Sequence, residues 1–128
     1  MTQKQYKIYN SCADSFDRAL DDLLVQICAT EQTVVRIIFF GSSTDNEEYA
    51  LQRSTIEKRL KEHFSKTPMV AYIAQAPLSA TLVAEVTYVG TEEKIEYFDD
   101  YILLDDCQIL SGAIYSEYMH GITQQSEA

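Results

Sequence analysis

The sequence predicts an α+β fold, a mixed β-sheet of about six strands with two helices packed on one face. Three observations predict it. Helical periodicity occurs in two separate stretches, and each is followed by an apolar, β-branched or aromatic run. The apolar runs of the C-terminal half follow one another across short links, as strands of hairpins do. Two amphipathic helices in a chain of 128 residues bury their stripes most economically against one sheet.

Tyr6 to Asn10 is the first strand candidate. From Ser15 to about Ala29, Phe16, Ala19, Leu20, Leu23, Leu24, Ile27 and Cys28 recur at helical spacing, with Asp14 and Asp17 at the end a helix dipole favours. Thr33 to Phe40 (TVVRIIFF) is too continuously apolar for a strand with one wet face and reads as a central strand covered on both sides. Gly41 ends it, and Thr44 with Glu47 forms a capping-box pattern. The second helix carries Tyr49, Ile56, Leu60 and Phe64 inward, and Glu57 precedes Lys61 by the favourable four residues. Pro68 stops it.

Val70 to Leu78 and Leu82 to Val89 are strands, with Pro77 at the end of the first because it lacks an amide donor. After Gly90 come two more runs, Tyr97 to Leu104 and Cys107 to Tyr115, around an Asp105-Asp106 turn. The organisation is therefore a core over residues 1–95 and a C-terminal hairpin with tail over 96–128. The second sheet face also looks apolar, through Ile38, Phe40, Tyr72, Ile73 and Val83. A face of that kind needs a cover, and an oligomer is expected.

Twenty acidic residues against 10 basic ones give a net charge of −10. Nucleic-acid binding needs a basic groove for counterion release, so that class is disfavoured. Cys12, Cys28 and Cys107 are odd in number and far apart, and with only His63 and His120 to join them no zinc spacing arises. Free thiols in a reducing compartment account for them. MTQKQYKIYN has no long apolar segment for a signal peptide and nothing approaches a membrane span, so a cytoplasmic setting is expected.

From Val34 to Val89 the chain resembles the second half of the Rid family, the YjgF-like reactive intermediate deaminases. VVRIIFFGSSTDNEEYALQRSTIEKRLKEHF is similar to that family's strand, loop and acidic-start helix, and SKTPMVAYIAQAPLSATLVAEV to its proline, strand, turn and last strand. Phe16 to Ala29 takes the place of its first helix. FDDYILLDDCQILSG resembles the family's first hairpin, with Asp105-Asp106 at the turn and Ser111-Gly112 where the family has Ser-Gly-Gln. The end of the chain thus looks like the start of the family fold. Two arrangements are compatible with that: a circularly permuted domain, or the N-terminal part of a tandem protein like the chorismate-processing enzymes.

The resemblance implies a trimer, no cofactor, and a small carboxylate metabolite held by an arginine at the start of the strand after the proline. Met69 or Val70 stands in that place here. Losing such a contact removes about 1.5–3 kcal/mol, roughly ten- to a hundredfold in affinity. The resemblance therefore implies a degenerate domain with an oligomerising, structural or ligand-binding role; the alternative is an imine or enamine deaminase, or a chorismate-type enzyme, using an intersubunit cleft. The family's endoribonuclease label fits poorly with the acidic charge.

Glu85 takes the place of the family's water-positioning glutamate, although a strand glutamate at an oligomer seam is the simpler account. Ser111 and Gly112 can shape an anion pocket or simply meet a turn's need for glycine. Tyr72 and Phe98 can stack on a ligand or serve a core or interface. Arg36, the one charge inside an apolar strand, can reach a ligand but more simply pairs with an acid. His63 sits where a helix dipole favours a cation, Cys107 reads as an inert strand thiol, and Asp99-Asp100 with Asp105-Asp106 read as solvated turn acids.

Overall fold

A computed structural model describes residues 4–77, 79–99 and 101–104, and the backbone of 109–110. The elements run β1 (Gln5–Ser11), α1 (Phe16–Ile27), β2 (Thr33–Gly41), α2 (Asn46–His63), β3 (Met69–Ile73), β4 (Leu82–Val89), β5 (Ile95–Tyr97), β6 (Ile102–Leu104) and β7 (Ile109–Leu110). The fold is α+β, and its strands divide between two sheets. The larger is mixed, in the order β1-β4-β2-β3, and the smaller is β5-β6-β7. β4 runs antiparallel to both β1 and β2, and β2 pairs β3 in parallel across α2.

Each helix forms for reasons readable in its first turn. Ser15 caps α1 by accepting the Arg18 amide, and Asp17 sits in the positive end of the dipole. Asp45, one residue past the expected Thr44, caps α2 by accepting the Glu48 amide at 2.8 Å. A carboxylate there both fills the orphan donor and meets the dipole, whereas the Thr44 hydroxyl binds the Glu48 carboxylate at 3.0 Å. Glu57 pairs with Arg53 at 3.7 Å rather than with Lys61, an exposed contact that contributes little.

Burial follows strand parity. Ala19, Leu20, Leu23, Leu24 and Ile27 of α1 and Ile56 and Leu60 of α2 share one cluster with alternate strand residues. Those are Val34, Ile37 and Phe39 of β2, Tyr72 of β3, and Leu82, Ala84, Val86 and Tyr88 of β4. A β-bulge between Val34 and Arg36 lets Val35 turn to the second face. There Val35 and Val89 pack against Ile102 and Leu104 of the smaller sheet, with Met69, Ile95 and Tyr97 alongside.

The C-terminal runs differ from expectation. The predicted strand Tyr97 to Leu104 is two strands, β5 ending at Tyr97 and β6 starting at Ile102, with the Phe98 amide donating to the Tyr101 carbonyl at 2.9 Å. β6 then pairs β7 at Ile102↔Leu110 and Leu103↔Ile109. β3 ends at Ile73, so Pro77 lies beyond it.

Tyr88 ties the core together. Its hydroxyl donates to the Ile27 carbonyl at 2.9 Å, satisfying an orphan group at the end of α1, and meets the Tyr9 hydroxyl at 2.8 Å. Burial, and then the Tyr9 hydrogen bond, hold the Tyr88 proton far above the ordinary 10.0. Burial also raises Tyr72 and Tyr97. The unfolded chain releases these protons near pH 10 and the folded chain does not. Their stabilising contribution is complete below that pH and is lost as pH rises toward the folded values. Urea denaturation across the alkaline range should therefore show stability falling above about pH 10. Tyr88→Phe should cost about 1–3 kcal/mol at neutral pH by leaving the Ile27 carbonyl bare, and should flatten the alkaline decline.

Candidate functional site

The register lays three rows across the second face of the larger sheet. Asn10, Val83, Phe40 and Ile73 form one row, and Ile8, Glu85, Ile38 and Ala71 the next. Tyr6, Thr87, Arg36 and Met69 form the third. The smaller sheet packs at the Val35 and Val89 end of this face. Toward β1 the face is open: Ile8 is 71% exposed and Tyr6 61%, while Phe40, Ile73 and Val83 are half-buried.

Within this apolar field lies one polar island. Arg36 is directly across from Thr87, and Glu85 is its diagonal neighbour, a separation of about 7–8 Å between Cα positions that a long side chain spans. Arg36 and Glu85 are half-buried and Thr87 is buried. The bulge beside Arg36 gives β2 two consecutive second-face residues, Val35 and then Arg36, and so sets a guanidinium at the border between the covered and open parts. A cation, a hydroxyl and a carboxylate on one rigid sheet can orient a small carboxylate through the guanidinium and hold a water on Glu85.

The other site residues lie elsewhere. Tyr72 belongs to the opposite face, because strand parity gives the open face to Ala71 and Ile73. It is a core residue, stacked on Tyr49 with ring centroids 5.1 Å apart. Phe98 sits in the β5–β6 turn, stacked on Tyr101 at 4.5 Å and 42% exposed. At the start of β3, Val70 packs against the helix-side core and Met69 against the smaller sheet. Ser111, Gly112, Cys107, His120, Asp100, Asp105 and Asp106 lie outside the described residues. Among the described residues no group of three or more His, Cys, Asp or Glu is placed to hold a metal ion.

One polar network escaped the sequence reading. Gln52 is buried on α2, where its Oε1 accepts from Ser43 and from the Tyr72 hydroxyl at 2.6 Å. Its Nε2 donates to the Ser42 carbonyl at 3.0 Å and to Glu48 at 3.3 Å. All four of its hydrogen-bonding positions are filled, so the buried amide costs nothing in unpaired groups. A polar residue at an inward-facing helical position, four before Ile56, was the available signal.

Comparison with known proteins finds no matching family model, curated protein or solved structure. Its site is therefore described from its own geometry.

The end of β2 depends on the absence of a side chain at Gly41. A Cβ there would lie 2.7 Å from the Tyr72 hydroxyl and 2.9 Å from a Leu82 methyl. Gly41→Ala should push Tyr72 off Gln52 and cost about 1–3 kcal/mol, seen as a lowered urea midpoint at unchanged slope.

Proposed function

We propose that this chain is an assembly domain that buries the open end of its sheet face against copies of itself. In the resulting seam, Arg36, Thr87 and Glu85 hold a small carboxylate. The observation that carries this reading is the pair of exposed apolar side chains on β1, Ile8 and Tyr6, on the sheet face opposite the residues that cluster with the helices. Apolar patches of this kind on rigid elements are interaction sites. The resemblance to Rid-type domains supports the same reading, with a trimer as the expected form and a second domain of the same kind as another cover in a longer protein. The role is binding and assembly, since Val70 or Met69 replaces the anchoring arginine that the resemblance calls for. A cytoplasmic setting suits the free thiols Cys12 and Cys28; no helix among the described residues is long and apolar enough to cross a membrane.

Sedimentation velocity tests the assembly. The wild-type chain should sediment as an oligomer at micromolar concentrations. Ile8→Lys combined with Ile73→Glu should give a monomer with an unchanged circular dichroism spectrum. A wild-type chain that stays monomeric overturns self-assembly.

A second reading rests on Arg36 and Glu85 sharing one face. Arg36 would hold the carboxylate of a small imine, and Glu85 would take a proton from water as its oxygen attacks the imine carbon and deliver that proton to the imine nitrogen, giving the carbinolamine. The carbinolamine then expels ammonia and leaves the carbonyl compound. Ammonia release from a 2-aminoacrylate-type imine that disappears in Glu85→Gln would establish this enzyme; equal rates with and without the protein exclude it.

A further inference from the structure

A cleft of about 360 Å³ opens at the edge of the core, and Arg36, Thr87 and Glu85 are not among its lining residues. Its walls come from the C-terminal ends of α1 and α2, the start of β2 and Tyr97 of β5. We propose that this cleft binds a small organic monocarboxylate, with Lys66 as the partner of the carboxylate.

Four observations converge on that ligand class. The first is size: the volume lies at the lower end of the usual range for small-molecule sites, enough for a ring or short chain with one polar head. The second is charge. In a chain of net charge −10, none of the lining residues is Asp or Glu, while Lys66 and His63 both line the cleft. The neighbouring acids Glu31 and Glu62 are not part of the lining.

The third is the placement of the cation. The Lys66 ammonium lies 5.8 Å from the centroid of the Tyr97 ring, and Tyr97 is itself a lining residue. The aromatic face holds the charge on the cleft wall and reduces the side-chain freedom lost on binding. The remaining walls combine an apolar floor of Ile27, Val34 and Phe64 with the hydroxyls of Thr33 and Ser65. An apolar body with an anionic head matches both parts.

The fourth concerns the helix ends, whose carbonyls would otherwise favour a cation. At α1 those carbonyls are engaged: the Cys28 amide donates to Leu24, the Ala29 amide to Gln26, and the Tyr88 hydroxyl to Ile27. At α2 the last turn carries Lys61 and His63, and the Phe64 amide donates to Leu60. The α1 carbonyls Leu24, Gln26 and Ile27 are thus engaged, and Lys66 is the lysine of the cleft wall.

The test uses three probes with one ring and different heads: benzoate, benzyl alcohol and benzylamine. Each is titrated into the full chain and followed by amide chemical shifts. Benzoate should shift amides at residues 27–34, 63–66 and 97, and should bind roughly fivefold more tightly than benzyl alcohol, the size of one partly screened charge pair. Benzylamine should bind most weakly. Lys66→Met should reduce benzoate to the affinity of benzyl alcohol and leave benzyl alcohol unchanged, and Lys66→Arg should keep the preference. Lys66 is exposed, so neither substitution endangers the fold. Equal binding of the three probes, shifts elsewhere in the chain, or a benzoate affinity unaffected by Lys66→Met would each overturn the proposal. The assembly variants leave the cleft intact, so failure here is distinct from failure of the seam.

Discussion

The alternation of β4 is the constraint on which the rest of the structure depends. This strand lies between β1 and β2 and pairs with both. Leu82, Ala84, Val86 and Tyr88 point into the cluster that holds the buried residues of the helices. Val83, Glu85, Thr87 and Val89 take the other side by the period of two. A slip of one residue would put Glu85 among the helical leucines and expose Tyr88, and no repacking offsets an unpaired carboxylate there. The register is thus specified from both faces at once.

That double specification explains how a polar island persists in an apolar field. Arg36, Thr87 and Glu85 are held by ladders whose opposite faces are locked in the core, which fixes the spacing of their Cα positions. The bulge at Val34 and Arg36 supplies the one departure from strict alternation. It gives β2 two consecutive second-face residues, one apolar for the smaller sheet and one charged for the open region. Gln52 performs a comparable service on the helix side, joining the end of β2 and the Tyr72 ring to the first turn of α2.

Much of this architecture was legible. The 3.6-residue spacing from Phe16 to Ile27 and the unbroken run of TVVRIIFF set out α1 and the central strand almost to their ends. What was not legible has physical causes. Tyr72 and Ile73 are adjacent and both apolar, so hydropathy alone does not assign the phase of β3; only the pairing with β2 does. Asp45 and Thr44 are both good caps, and the choice between them rests on backbone geometry. The break between β5 and β6 falls in a stretch with no glycine or proline, while the acids at 105 and 106 drew attention to a later one. For the site, Arg36 stood out as the one charge in an apolar strand and Glu85 through the family resemblance, but their adjacency came only from the register. The cleft beside Lys66 joins segments far apart in the chain and carries no local pattern at all.

The smaller sheet meets the larger one through side chains, and among the described residues each strand ladder stays within its own sheet. Ile102 and Leu104 therefore occupy Val35 and Val89 without a shared backbone ladder. The hairpin is in effect an intramolecular competitor for that end of the face. Tethered a few residues past β4, it acts at an effective concentration no free partner matches. On the β1 side of the sheet, Ile8 and Tyr6 have no such tethered cover among the described residues.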